Sequence, residues 1–261
     1  MILLARFLAE NRRSLIVWCV AQAALCFMYL PFYPSIGGPE LAELMARIPE
    51  PMLAAFGMGG PLDGVGYTHA TIFGLIGTLL LILAAVSWGA RAVAGDEESG
   101  ALELTLSYPV ARSQIVTWRA LAITLQTAAV ALVVTLSISV LSGPSQLGVQ
   151  PANAFAAGLS FWLLGLLFGL AALAAGCVSG LRGAATGVGA GLAVAAYLAQ
   201  TLGSQVSGLT WLARLSPFEW AYGHDPLRNG LSAGGPALLA GLSLLLVALA
   251  VWGLKRRDVG S

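Results

Sequence analysis

Charged side chains are scarce in this chain. Of its 261 residues only 10% are Asp, Glu, Lys or Arg, whereas 58% are hydrophobic. A soluble domain of this length needs far more polar surface, so the composition predicts an integral membrane protein. The formal net charge of +1 leaves no basic surface for a nucleic-acid partner. We expect one all-α transmembrane domain over residues 1–261.

Lysine is almost absent, which restricts how the protein can use energy. The single lysine, Lys255, is followed by Arg256 and does not stand in a Gly-x-x-x-x-Gly-Lys-Ser/Thr loop. A loop that cradles phosphate needs that lysine, so we predict that this chain hydrolyses no ATP and binds no cofactor by itself. If nucleotide drives its activity, another polypeptide hydrolyses it.

Side chains for membrane chemistry are equally sparse. The two histidines, His69 and His224, lie in separate regions. The three cysteines, Cys19, Cys26 and Cys177, fall inside apolar runs and are interpreted as small packing residues. No ionisable side chain falls at the centre of a span, which argues against a proton-driven pump. We therefore predict no catalytic residue and no metal site.

Long apolar runs are what the sequence has in abundance. Six of them are near or above the roughly 20 residues that cross a bilayer; they cover 14–33, 69–91, 117–141, 152–179, 184–203 and 236–254. An even number of spans puts both termini on one side. Of the 13 Lys and Arg residues, all except Arg47, Arg214 and Arg228 fall on that side. The positive-inside rule makes that side cytoplasmic. We expect the membrane to be the inner (plasma) membrane of a bacterium.

Two further features concern the membrane itself. Residues 1–13 place apolar and charged side chains on opposite faces, which predicts an interfacial helix along the cytoplasmic leaflet before the first span. The deepest polar side chains of the spans are candidates for a substrate pathway: Gln22, Gln126, Tyr197 and Gln200.

The stretch GDEESGALELTLSYPVARSQ, residues 95–114, puts an island of charge between two apolar runs. Asp96 fits an N-cap, and the two glutamates after it would lie in a first helical turn, where the dipole favours negative charge. Leu102 and Leu106 share one face, and Pro109 ends the helix. The pattern predicts a short cytoplasmic helix whose leucine ridge suits a groove of a soluble partner. A solvated loop that happens to be helical is the alternative.

This island resembles the signature between the second and third spans of export-type ABC transporter permeases, the six-span membrane subunits of type V exporters. In that family an acidic-Gly-Leu run precedes a Pro-Val-(Ser/Ala)-Arg turn, and the loop docks on the nucleotide-binding subunit. Ala101 stands where Thr is common. The positions that the resemblance implies for coupling to the ATPase are Glu97, Glu98, Gly100, Leu102, Leu106, Pro109, Val110 and Arg112.

The resemblance extends to a Ser-Pro-Phe segment, Ser216, Pro217 and Phe218, which in the family lies in an outer re-entrant hairpin before the last span. It implies a permease that exports an amphipathic or hydrophobic substrate, such as a drug in multidrug efflux, a lipid or a peptide. ATP and Mg would be bound by partner ATPase subunits. The alternative is a membrane scaffold or assembly factor that anchors a soluble partner without transport.

The fifth apolar run carries a small residue at every fourth position: Gly183, Gly187, Gly191, Ala195, Ala199 and Gly203. Such a row lets another helix approach closely. It could serve packing within one subunit, or a subunit interface or pathway wall. Six helices are few to enclose a path and the sequence has no internal duplication, so we expect a second permease copy or a paralogue.

Overall fold

The computed structural model describes residues 2–36, 63–101, 111–206 and 208–257. Within these ranges every regular element is helical and no strand forms. Six helical stretches are long and apolar enough to cross a membrane, and we name them spans 1 to 6 in chain order: Phe7–Ser35, Gly64–Glu98, Arg112–Ser142, Pro151–Ser179, Arg182–Gln205 and Gly234–Arg256. The prediction of an all-α protein with six spans is confirmed.

Span 4 lies at the centre of the bundle. Of its most apolar 18-residue window 83% is buried, compared with 61% in span 2 and 56% in span 3, and with 28% or less in spans 1, 5 and 6. Small residues make this packing possible. A Cβ atom on Gly165 would meet Leu81 of span 2 at 2.5 Å, and one on Gly169 would meet Ala85 at 3.1 Å. Spans 2, 3 and 4 therefore form the core, and the other three pack around it.

Most of span 1 belongs to one continuous α-helix, Ile2–Tyr29, which begins before the span. A 3₁₀ turn at Leu30–Phe32, with a proline in its first turn, leads into the short helix Tyr33–Ile36. The predicted interfacial helix is therefore not an element of its own, because residues 2–13 run into the span without a break. Its position along a leaflet stays a prediction.

Span 2 is longer and less regular than the sequence indicates. Its α-helical parts, Gly64–Thr68, Ile76–Ala90 and Asp96–Glu98, are joined by two π-helical stretches; these are His69–Gly74 and Arg91–Gly95. At the first irregularity the Thr78 hydroxyl donates to the Phe73 carbonyl at 2.7 Å. π-helical turns of this kind are frequent at functional sites.

Asp96 does not begin a new helix, so the predicted N-cap is wrong. Gly95 and Asp96 both have right-handed helical backbone angles, and the acidic residues form the last turn of span 2. The π-helical turn before them keeps the helix going where the sequence suggested an end. Gly100 follows with φ of +73°, the left-handed conformation in which glycine commonly closes a helix.

Three short helices connect spans 5 and 6, and we call them the hairpin helices: Thr210–Leu215, Pro217–Tyr222 and Pro226–Asn229. Ser216 caps the second of them. Its hydroxyl accepts from the Phe218 N–H at 3.2 Å and donates to the Ala196 carbonyl of span 5 at 2.8 Å. The Ser-Pro-Phe segment is thus a helix start fixed to span 5, and its re-entry into a membrane stays a prediction.

The bundle has two chemically different ends. We call one the arginine end, because the acidic turn of span 2 meets arginines there; the opposite one is the hairpin end. Phe7, near the N-terminus, lies at the arginine end with its ring centre 4.4 Å from the guanidinium carbon of Arg119. Arg257, after span 6, contacts Glu97 at the same end. Phe7 and Arg257, the one near the start and the other near the end of the described chain, thus lie at the same end of the bundle, in agreement with an even number of spans.

Candidate functional site

Each of the three acidic residues that close span 2 contacts a different helix. Glu98 Oε1 accepts a hydrogen bond of 2.8 Å from the backbone N–H of Arg182, the first residue of span 5. Span 5 has no side-chain cap of its own at Leu181. The carboxylate therefore satisfies a free N–H at a helix N-terminus, where negative charge is favoured.

Asp96 forms an ion pair with Arg119 of span 3. The side chains are only 22% and 10% exposed, so the pair is shielded from water. Arg119 also lies over the Phe7 ring, a cation–π geometry. These contacts join spans 1, 2 and 3, and removal of either charge would leave the other one largely buried without this ion pair.

Glu97 pairs with Arg257, just beyond span 6. Arg112, at the start of span 3, donates to the backbone carbonyl of Leu254 at 3.2 Å and to that of Arg257. Three of the residues predicted to couple to an ATPase, Glu97, Glu98 and Arg112, are therefore engaged within the chain. Their pairing with a second protein stays a prediction.

The other predicted coupling positions are only partly covered by the structure. Gly100 closes span 2, as described above. Leu102, Leu106, Pro109 and Val110 lie outside the described residues. The docking role of the leucine ridge therefore rests on the sequence pattern alone.

A groove runs between span 2 and span 5. Its apolar part has a volume of about 220 Å³ and lies among Leu79, Ile82, Val194 and Leu198, with Phe218 of the second hairpin helix at one end. A second compartment of about 180 Å³ continues from it and shares Gly74, Tyr197 and Phe218. This compartment adds the polar residues His69, Gln200, Thr201, Ser204 and Tyr222. The groove is therefore apolar along the spans and polar beside the hairpin helices.

The polar compartment has unused hydrogen-bonding capacity. Gln200 Nε2 donates to Glu219 Oε2 at 2.7 Å. The Oε1 atom of Gln200 and the Nδ1 atom of His69 are buried and have no hydrogen-bond partner among the described residues. Burial raises the pKa of Tyr222, whose hydroxyl stays neutral 3.2 Å from Thr78 Oγ1. A polar group entering here would meet both donors and acceptors.

The four polar side chains predicted for a pathway separate into two groups. Tyr197 and Gln200 line the groove. Gln22 is fully buried and donates to the Gly77 carbonyl at 2.8 Å. Gln126 is 1% exposed, and its amide atoms have no hydrogen-bond partner within the described ranges. Neither of these two lines the groove.

The small-residue row of span 5 meets three different surroundings. Cβ atoms on Gly183, Gly187 and Gly191 would meet nothing within 4 Å. Ala195 and Ala199 line an apolar cavity of about 370 Å³ that spans 4 and 6 also border. Gly203 lies against Ala213 of the first hairpin helix. Residues four apart advance by about 40° around an α-helix, so the row winds away from a single face.

Span 5 packs onto the core through a different row, Ala185, Gly189 and Ala193, whose members are all buried. A Cβ atom on Gly189 would meet Ala172 at 2.9 Å and Val86 at 3.1 Å. Packing within the subunit therefore involves only part of the predicted row. Its first three glycines stay open in the described chain.

A family model for ABC-2 family transporter proteins matches residues 3–219, which contain spans 1 to 5. The chain belongs to the ABC-2 transporter family. It is thus the permease subunit of an ABC transporter, a transport subunit and not itself an ATPase. A search of the curated proteins finds no match.

Sequence reasoning missed His69 of the permease's polar compartment, and also Glu219, whose carboxylate accepts from Gln200 of that compartment. His69 was noted only as one of two separate histidines, and Glu219 was not singled out within the Ser-Pro-Phe-Glu-Trp segment. Neither residue stands in a recognisable motif. Their proximity to Gln200 depends on the π-helical stretch of span 2 and on the fold of the hairpin helices, which leave no local signal.

Proposed function

We propose that this permease exports an amphipathic molecule while separate subunits bind ATP and Mg and hydrolyse the nucleotide. The observation that carries the proposal is the groove between spans 2 and 5. Leu79, Ile82 and Leu198 can contact an apolar moiety, and Gln200 and His69 can bind a polar group at the other compartment. A drug-like compound, a lipid or a peptide with both characters fits that division.

The proposed direction is from the arginine end to the hairpin end. Arginines concentrate at the former, which supports a cytoplasmic location for that end and for both termini. Export rather than import rests on the resemblance of residues 95–114 to exporter permeases. The membrane is the inner (plasma) membrane of a bacterium in this proposal.

The ATPase is proposed to dock on the segment between spans 2 and 3. Leu102 and Leu106 supply the apolar ridge in this proposal. Burial of one leucine side chain contributes about 1.5–3 kcal/mol, and an aspartate in its place would have to be desolvated. Loss of the ridge should therefore release the partner without affecting the spans.

A second permease copy or a paralogue is proposed to complete the pathway. The open row Gly183, Gly187 and Gly191 supports this, because close helix approach through small residues is the usual way spans associate. Introduction of a bulky residue at Gly187 should then disrupt assembly. A matched change at Leu244 of span 6, which is 71% exposed, should not.

The docking proposal is tested by co-purification of the ATPase with Leu102→Asp. We expect the variant to lose its partner, while Glu43→Ala, on the other side of the membrane in the proposed topology, retains it. Wild-type recovery of the ATPase with Leu102→Asp would contradict the docking role. Recovery of a soluble partner that is not an ATPase would favour the alternative, a membrane scaffold.

The groove is tested by filling it. Leu198→Trp should reduce ATP-driven accumulation of the amphipathic dye rhodamine 6G in inverted vesicles at least tenfold, and Leu244→Trp is the control for added bulk. Equal accumulation by Leu198→Trp and wild type would show that the groove is not on the path.

A further inference from the structure

Both flanks of the segment between spans 2 and 3 are held by the same few residues at the end of span 6. On one flank Glu97 pairs with the Arg257 side chain. On the other flank Arg112 donates to the carbonyls of Leu254 and Arg257. Leu254 and Arg257 are more than 140 residues away from these partners in sequence, and the three contacts together hold the residues on either side of the segment.

The Arg257 side chain also packs against the turn between spans 4 and 5. Its guanidinium lies over Gly180, where any Cβ atom would overlap it. Gly180 has φ of +70°, which favours glycine on conformational grounds as well. One turn earlier in span 6, a Cβ atom on Gly253 would meet Val178 of span 4 at 2.6 Å. The end of span 6 therefore has little room to move independently of spans 2 and 4.

The Glu97–Arg257 pair is mostly shielded from water, with side chains 17% and 26% exposed. Glu97 Oε2 and Arg257 Nη1 are buried and have no hydrogen-bond partner among the described residues. Each charge therefore depends on the other one for compensation. A shift of Glu97 would strongly favour a matching shift of Arg257.

At its opposite end span 6 contacts a hairpin helix that lines the groove. A Cβ atom on Gly235, in its first turn, would overlap the Trp220 carbonyl of the second hairpin helix. That helix carries Phe218 and ends at Tyr222, and both residues line the polar compartment. Rigid helices in close contact can transmit a displacement over such a distance when they have two discrete arrangements.

We propose that Glu97, Arg112 and Arg257 fasten the docking segment to span 6, so that its displacement by the ATPase moves span 6 and the hairpin helices beside the groove. Glu97 and Arg257 are positioning residues in this proposal, because they act through span 6 and the contacts described for them are within the permease. The inference rests on the proposed ATP-driven transport. It gives Arg112 a role inside the permease in addition to the docking role that the resemblance implies.

The test follows the hairpin end of span 6 while the ATPase cycles. Leu238, which is 54% exposed, is replaced by a spin-labelled cysteine after Cys19, Cys26 and Cys177 are replaced by alanine. The permease–ATPase complex is purified in nanodiscs, and the spectrum is compared with and without ATP and vanadate. We expect a nucleotide-dependent change that Glu97→Gln and Arg257→Gln reduce at least fivefold, and in Arg257→Gln the ATPase should stay bound and hydrolyse ATP. The exchanged pair Glu97→Arg with Arg257→Glu should restore the change.

Two further variants keep the test decisive. Arg257→Lys retains the charge and should retain most of the response, even if the neutral variants fold poorly. Asp63→Asn disrupts an ion pair at the hairpin end and should leave the response intact. An undiminished response in Glu97→Gln, or a folded exchanged pair without recovery, would overturn the fastening. If no ATPase purifies with the wild type, the proposed function itself is wrong.

Discussion

The arginine end and the hairpin end of the bundle are held together by different interactions. At the arginine end the ion pairs Asp96–Arg119 and Glu97–Arg257 have side chains that are at most 26% exposed. At the hairpin end Arg228 pairs with Asp63 and Asp225, and the Asp63 side chain is 50% exposed. Close packing is prominent there, because Gly235 lies directly against the Trp220 carbonyl.

The difference matters because buried and exposed ion pairs have different energetics. An exposed pair contributes roughly 0–1 kcal/mol, whereas breaking a buried pair costs about 3–5 kcal/mol since one charge stays uncompensated. A buried pair is nevertheless no more stabilising than well-packed apolar residues. At the arginine end, where the proposed docking segment joins the bundle, each ion pair should therefore cost about 3–5 kcal/mol to break. At the hairpin end the exposed ion pair beside the groove should cost at most about 1 kcal/mol to break.

The largest effect is expected when one charge is removed from the arginine end. Arg119→Met leaves Asp96 buried without its partner and abolishes the contact with Phe7. We expect the free energy of unfolding in detergent to fall by about 3–5 kcal/mol. The double variant with Asp96→Asn should recover much of that loss. No recovery, or a loss below about 1 kcal/mol, would contradict the assignment of a buried pair.

A steric change should matter more than a charge change at the hairpin end. Gly235→Ala forces the backbone of span 6 away from Trp220, whereas Gly234→Ala meets nothing within 4 Å. We expect Gly235→Ala to lower the unfolding free energy by about 1–3 kcal/mol. Gly234→Ala should have little effect, and equal melting temperatures of the two variants would contradict the close approach of Gly235 to Trp220.

Alanine substitutions at two glycines distinguish the destabilisation due to backbone strain from that due to contact with Arg257. Gly180 and Gly148 have nearly the same positive φ, +70° and +67°, but only the position of Gly180 has a guanidinium against it. Alanine at either site costs about 1–2 kcal/mol for the left-handed backbone. Gly180→Ala should therefore be the more destabilising of the two in thermal unfolding. If Gly148→Ala melts at the same temperature or lower, Arg257 does not occupy that site.

The smallest effect is expected at Asp63. Its hydrogen bond from Arg228 holds the pKa of the carboxyl below its ordinary value. Stability from this pair is therefore complete above the ordinary pKa of aspartate and is lost as the pH falls through the lowered one. Asp63→Asn should reduce stability at pH 7 by less than about 1 kcal/mol, after allowance for solvent screening, and should have a smaller effect at pH 2. Unfolding titrations at the two pH values decide this, and a larger cost at low pH would contradict the pairing.

The partner of each acidic residue at the end of span 2 could not be derived from the order of residues. Asp96, Glu97 and Glu98 are consecutive, and successive side chains of an α-helix point about 100° apart. They therefore contact spans 3, 6 and 5, and the acidic run alone does not distinguish such contacts from pairing with a soluble partner. The same geometry explains why the small-residue row of span 5 does not form one interface.

The amino-acid sequence by itself determined the all-α class, six spans and the absence of a phosphate-binding loop in this chain. These properties follow from local composition, because an apolar run of sufficient length must satisfy its backbone hydrogen bonds as a helix in a bilayer. Only the tertiary structure decided the π-helical stretches of span 2, the groove with His69 and Gln200, and the contacts of Arg112 and Arg257. Those features depend on residues distant in sequence that meet only when the helices pack, and no local pattern encodes that meeting.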